Sequence, residues 1–321
     1  MTKAKSGRDG FGKALLELGE KNQNVVALCA DLAESVRVEA FANKYPERYF
    51  QIGISEQDMI GTASGLALSN YIPFATTYAV FAAQRANEQI RLAACYNQAN
   101  VKIAVSHAGL TCGEDGATHQ ALEDIASMRV MPEMTVIVPA DENEAYEATK
   151  ASVEWIGPIY LRLGRTPVPI VTNDTSPFQI GKARTLKNGT DVSIFACGIM
   201  VERALQAREQ LASEGINASV INIHTIKPLD KETIINEVQH TDCVVTAEEH
   251  SIIGGLGGAI SELLAEEHPV PVHKVGTQDT FGESASPEEL LEKYGLTAAK
   301  IVTACKEALG QKEQNLKRVR S

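Results

Sequence analysis

No apolar run in the sequence approaches the length of a membrane span, and the N-terminus, MTKAKSGRDG, lacks the apolar segment and cleavage site of a secretory signal. Positive charge is in the minority: 30 Lys and Arg face 41 Asp and Glu, for a formal net charge of −11. That balance excludes the basic face on which nucleic-acid binding depends. The six cysteines are scattered, with no CxxC pair and no metal-ligand spacing. Internal repeats and low-complexity tracts are absent. The expectation is a cytoplasmic protein with reduced cysteines, partnered by neither nucleic acid nor membrane.

What is present is an ordinary globular composition, 44% hydrophobic and 22% charged over 321 residues, a length more comfortable as two domains than one. Apolar strand-like runs (NVVALCA, RYFQIGI, IPFATTY, VKIAVSH, MTVIVPA, GPIYLRL) alternate with helix-length segments such as EQDMIGTASGLALS, FAAQRANEQIRLAACY and ATHQALEDIASMRVM. This pattern predicts an α/β fold of two doubly wound sheet domains, the first mainly parallel. The first domain is expected over 1–171 and a Pro- and Gly-containing linker over 172–189. A smaller α/β domain follows over 190–310, then a polar, fraying tail over 311–321.

In such sheets ligands sit beyond the C-terminal ends of strands. Those ends carry Asp31 to Ser35, Ser55-Glu56, Tyr78 to Phe81, His107 to His119, and Arg165. Glu56 opens an apolar helix after Ser55, with Asp58 placed for a weak capping box. On spacing alone a dipole-stabilised structural carboxylate ranks ahead of a functional one. The loop SHAGLTCGEDGATHQALED is long and polar for a strand-to-helix connection, which favours function. Thr118 could equally cap the next helix, and Asp115 could be a turn residue. A metal held by His107, Asp115 and His119 has no recognised spacing and is discounted. Cys112 reads as a bystander thiol. GGLGG could cradle phosphate, but close packing explains it as well.

Together these segments resemble the C-terminal half of transketolase, in order from GRDGFGKALLELG through ADLAES, GISEQDM, PFATTYAVF, SHAGLTCGEDGATHQALEDIASMR and YLRLGR to IKPLD and EEHSIIGGLGG. GEDGATHQ discriminates: 2-oxo acid dehydrogenase β subunits share GISEQ-like and EEG-like segments but not this one. Deoxyxylulose phosphate synthase, which shares the fold and the QRA segment, is a closer rival. The resemblance implies a thiamine diphosphate pyrimidine-binding domain followed by the transketolase C-terminal domain.

By that resemblance Glu56 binds N1′ of the cofactor's aminopyrimidine, where a carboxyl in an apolar pocket suits proton sharing. Tyr78 and Phe81 form its aromatic wall, and Asp31 is a cofactor-pocket aspartate at the subunit contact. Here AAQRANEQ stands where large transketolases place a third aromatic. Arg8, Ser35, His107 and Arg165 resemble a sugar-phosphate clamp. Asp115 resembles the residue reading the substrate C2 hydroxyl, and His119 the one near the donor's C1 hydroxyl. Arg162 reads as structural.

The Gly-Asp-Gly segment by which transketolases hold the diphosphate and its metal does not occur. The resemblance therefore implies one subunit of a split transketolase, inactive alone. Its partner would be a diphosphate-binding N-terminal subunit carrying Mg²⁺ or Ca²⁺, in an α2β2 heterotetramer acting on sugar phosphates of the pentose phosphate pathway. The alternatives are another thiamine-dependent enzyme of sugar phosphates (deoxyxylulose phosphate synthase-like, or a branched-sugar transketolase) and a non-catalytic assembly protein. Glu56 and the four-part clamp speak against the last.

Overall fold

The computed structural model describes residues 4–172 and 177–320. Helix α1 (Gly7–Lys21) starts where the Ser6 amide and hydroxyl both donate to the Asp9 carboxylate, at 3.0 and 2.7 Å. Its Gly10 is a close-approach residue, since a Cβ there would lie 2.1 Å from the Glu142 carbonyl oxygen. Then follow β1 (Val25–Cys29), α2 (Glu39–Lys44), β2 (Tyr49–Gln51), α3 (Glu56–Leu68) and β3 (Ile72–Tyr78). A short α4 (Asn87–Gln89) is flanked by π-helical turns at Phe81–Arg85 and Ile90–Tyr96. The first half continues with β4 (Lys102–Ser106), α5 (Asp124–Arg129), β5 (Thr135–Ile137), α6 (Glu142–Glu154) and β6 (Ile159–Arg162).

The second half holds β7 (Arg184–Lys187), β8 (Val192–Ala196), α7 (Met200–Ser213), β9 (Ala218–Asn222), β10 (Thr225–Lys227) and α8 (Lys231–Thr241). It ends with β11 (Val244–Ser251), α9 (Leu256–Glu267), β12 (Val272–Thr277), α10 (Pro287–Lys293) and α11 (Ala298–Arg320). One sheet runs β10-β5-β6-β4-β3-β1-β2 and the other β12-β11-β8-β9-β7. Only β10 and β7, each at a sheet edge, pair antiparallel. The parallel strands β1, β4, β6, β8 and β9 are buried along their whole length because helices cover both faces, which is why they read as continuous apolar runs. The α/β expectation of two mainly parallel sheets holds.

Sequence order and sheet membership part company at β10. This strand lies in the second half of the chain but extends the first sheet, matching Thr225 to Ile137. One apolar core joins the halves, running from Val105 and Ile125 to Phe195, Leu256 and Ile260.

Several local expectations are corrected. Of ATHQALEDIASMRVM only Asp124–Arg129 is helical, because Gln120 Nε2 donates to the carbonyls of Leu110, Gly113 and Glu283 (3.3, 3.2 and 2.9 Å) and holds the preceding stretch as a loop. Arg184–Lys187, inside the stretch read as linker, is β7; residues 173–176 of that stretch lie outside the described residues. The polar tail read over 311–321 is helical as far as Arg320, as part of α11, and Lys312 Nζ donates to the Thr241 carbonyl at 2.6 Å. All six cysteines are free and buried, Cys112 among them. Among the described residues, no helix is long and apolar enough to cross a membrane.

Candidate active site

Several residues at the C-terminal ends of the first sheet's strands meet in one place. Tyr78 ends β3, and its ring stacks on His107, just past β4, at 3.8 Å between centroids and 19°. Its other neighbour is Phe81, at 5.8 Å and 9°. The long loop folds back so that His119 stands edge-on to both rings, at 6.2 Å from Tyr78 and 5.3 Å from Phe81. Four residues beyond Phe81, the Arg85 guanidinium lies 4.7 Å from the Phe81 centroid and its Nη1 reaches Glu56 Oε2 at 2.7 Å. Glu56, Arg85, Phe81, Tyr78 and His107 thus form a continuous row.

Glu56, at the first turn of α3, is only 1% exposed. The Ser55 side chain makes no capping bond, and Asp58 accepts from Thr62 Oγ1 at 3.3 Å instead of closing a box. The expected apolar surroundings are also corrected: a cation, Arg85, closes one side of the Glu56 site.

The positive charges of Arg8, Arg165 and Arg37 all act on His107. Burial first, then these three arginines and His119, lower the His107 pKa to about 3, so the ring is neutral across the physiological range. Its Nδ1 pairs with Ser106 Oγ at 2.8 Å. Burial, reinforced by Arg37, also lowers Arg8. Arg8 Nη1 donates to the Ser35 carbonyl at 2.7 Å, so Ser35 contributes its main chain here. Arg165 Nη1 donates to the Cys112 carbonyl and pairs with Glu114 at 3.2 Å. Asp9 binds Arg37 Nε at 2.8 Å. Three planar donors against two carboxylates make a setting for an anion with several oxygens.

The remaining candidates are placed as follows. Asp115 is exposed and accepts from Cys112 Sγ at 3.6 Å, whose thiol burial pushes up to about 12. Thr118 caps no helix; its hydroxyl pairs with His119 Nδ1 at 2.9 Å. Asp31 is exposed at φ +60°, its N–H donating to Gln51 Oε1 at 2.8 Å. Arg162 is buried, with Nε on Asp124 Oδ2 at 2.7 Å and Nη2 on the carbonyls of Ala121 and Glu249. Two of the GGLGG amides are taken: Leu256 and Gly257 donate to Glu248 at 2.6 and 2.8 Å. Among the described residues, no group of three or more His, Cys, Asp or Glu could hold a metal.

Two residues escaped the sequence reading. Arg85 was visible as the polar centre of AAQRANEQ, four residues from Phe81 and so on its helical face. Arg37, at φ +65°, sits in a loop whose course no periodicity reveals.

A family model described as the transketolase pyrimidine-binding domain matches residues 3–170. The chain belongs to the transketolase family. A second model, the transketolase C-terminal domain, matches residues 181–301 of this transketolase-family chain. It is 42% identical over 305 residues to a 6-deoxy-6-sulfo-D-fructose transketolase subunit of a Clostridium species, covering 95% of each protein. It is 39% identical to an apulose-4-phosphate transketolase subunit of Phocaeicola vulgatus, covering 94% of this chain and 96% of that one. A solved structure described as a split gene transketolase in an inactive beta4 tetramer superposes with a TM-score of 0.89 at 50% identity, over 95% of this chain and 98% of that one.

Proposed function

We propose that the chain is one subunit of a split, thiamine diphosphate-dependent transketolase that transfers a two-carbon ketol unit between sugar phosphates. The observation that carries this is the row from buried Glu56 through Phe81 and Tyr78 to a neutral His107 on which the charges of three arginines act. It is supported by relatives of nearly equal length that are named transketolase subunits.

The residues fit one half of the cofactor. Glu56 offers a shielded carboxylate to a ring nitrogen, and Tyr78 and Phe81 offer parallel faces to an aromatic ring. Thiamine diphosphate, when bound, supplies the carbanion chemistry that breaks and makes the ketose C2–C3 bond. Glu56 holds or shares the proton at the pyrimidine nitrogen, and Arg85 must yield some of its hold on Glu56 for this. Arg8, Arg165 and the neutral His107 bind the terminal phosphate, with the Ser35 carbonyl holding the Arg8 guanidinium. His119 and Asp115 orient the hydroxyls nearest the reacting carbons. The diphosphate and its Mg²⁺ or Ca²⁺ fall to a partner diphosphate-binding subunit, in an α2β2 assembly.

The test is to co-express the chain with a diphosphate-domain subunit. Each chain, and the pair, is assayed for transfer from xylulose 5-phosphate to ribose 5-phosphate with thiamine diphosphate and Mg²⁺. Activity confined to the pair is expected. Activity of this chain alone would overturn the split reading. A stable pair that ignores these sugars would favour another ketose, a second reading that the sulfofructose and apulose relatives recommend.

A further inference from the structure

Among the described residues, the second domain contributes no side chain to the row, yet it grips the loop beside it. Glu249, on β11, is 4% exposed, and its Oε1 accepts the Thr111 N–H at 2.6 Å. The fit leaves no room for a side chain at Gly109: a Cβ there would lie 2.2 Å from Glu249 Cδ, and the φ is +80°. Farther along, Ser284 Oγ donates to the Glu114 carbonyl, and Gln120 ties the Leu110 and Gly113 carbonyls to Glu283.

The same turn is engaged from the first domain. Thr166 Oγ1 donates to the Thr111 carbonyl at 3.2 Å, and Arg165 takes the Cys112 carbonyl and Glu114. Glu249 is itself anchored, because Arg162 Nη2 donates to its main-chain oxygen at 3.0 Å while Arg162 Nε is fixed on Asp124. A buried carboxylate aimed at one loop amide, from a strand locked beneath it, fixes the height of that turn.

We infer that Glu249 is a positioning residue: from the second domain it sets the Leu110–Asp115 turn where Arg165 and Asp115 meet a sugar phosphate. This rests on the functional reading above and gives the second domain a part in substrate affinity. The role acts through Thr111 and reaches neither Glu56 nor the Tyr78–Phe81 wall, so affinity for the sugar should change while affinity for the cofactor does not.

The experiment uses the two-chain complex carrying Glu249→Ala, Glu249→Gln or Ser284→Ala. Gln keeps an acceptor for Thr111, whereas Ala strands a buried N–H. Amide hydrogen exchange over residues 109–116, KM for ribose 5-phosphate, kcat, and thiamine diphosphate affinity are read for each. For Glu249→Ala, loop exchange and KM should each rise about tenfold, with cofactor affinity little changed. Glu249→Gln should restore most of both, and Ser284→Ala, at an exposed position that spares folding, should move both in the same direction by less.

Unchanged loop exchange in the Glu249 variants would overturn the inference. So would a fall in cofactor affinity in step with KM, or a Gln variant as impaired as Ala. If Glu249→Ala fails to assemble, the Gln and Ser284 variants decide by the same criteria. A wild-type complex without ketol transfer would remove the functional reading, and loop exchange alone would then decide whether Glu249 holds the turn.

Discussion

Arg85 Nη1 sits 2.7 Å from Glu56 Oε2, a cation nearly half exposed closing over a carboxylate that solvent barely reaches. Removing one member of a fully buried pair costs about 3–5 kcal/mol, and an exposed pair contributes about 1 or less. This mixed pair should fall between, with a coupling energy of about 1–3 kcal/mol in a double-mutant cycle of Arg85→Ala and Glu56→Gln. Urea unfolding of the four proteins measures it. Additive effects would show that the contact does not hold Glu56.

Glu56→Gln should leave the fold and the two-chain complex intact and lower ketol transfer by at least about 100-fold, the scale of lost proton transfer. Gln matches the shape of Glu but cannot supply the charge for the pyrimidine nitrogen. Steady-state rates of the assembled variant decide, and near-normal turnover would sink the assignment.

Arg165→Ala should raise the Michaelis constant for phosphorylated acceptors by about tenfold or more, the worth of a hydrogen bond to a charged group. Unphosphorylated aldoses should be little affected. An equal effect on both would remove Arg165 from the phosphate clamp and leave it holding Cys112 and Glu114 in the loop.

The strands were legible where both faces are buried, because VVALC and KIAVS then need no polar alternation. β7 and β10 were not, since runs of three or four residues are set by the edge they join rather than by their own pattern. Strand ends pointed to Tyr78, His107 and Glu56, whose stacking and burial only the packed chain reveals. Neither Arg85 nor Glu249 belongs to a pattern that marks it out in the sequence. Their meaning lies in contacts 29 and 138 residues away along the chain.

Two buried groups should tilt stability with pH in opposite directions. Burial lowers His224 to about 3, so its contribution is complete above its unfolded pKa of 6.5 and is lost as pH falls. Burial raises Glu249 to about 7, so its contribution is complete below the unfolded value of 4.5 and is lost as pH rises toward 7. Relative to wild type, His224→Gln should therefore gain about 2 kcal/mol on going from about pH 7 down to 5, because the variant has no imidazole to protonate on unfolding. Glu249→Gln should move the other way, losing a similar amount relative to wild type over the same descent, because only wild type is relieved of a buried charge. Urea midpoints of the three proteins across this range provide the check. Parallel curves would show that neither group changes its protonation on unfolding, and slopes of the same sign would contradict the burial of one of them.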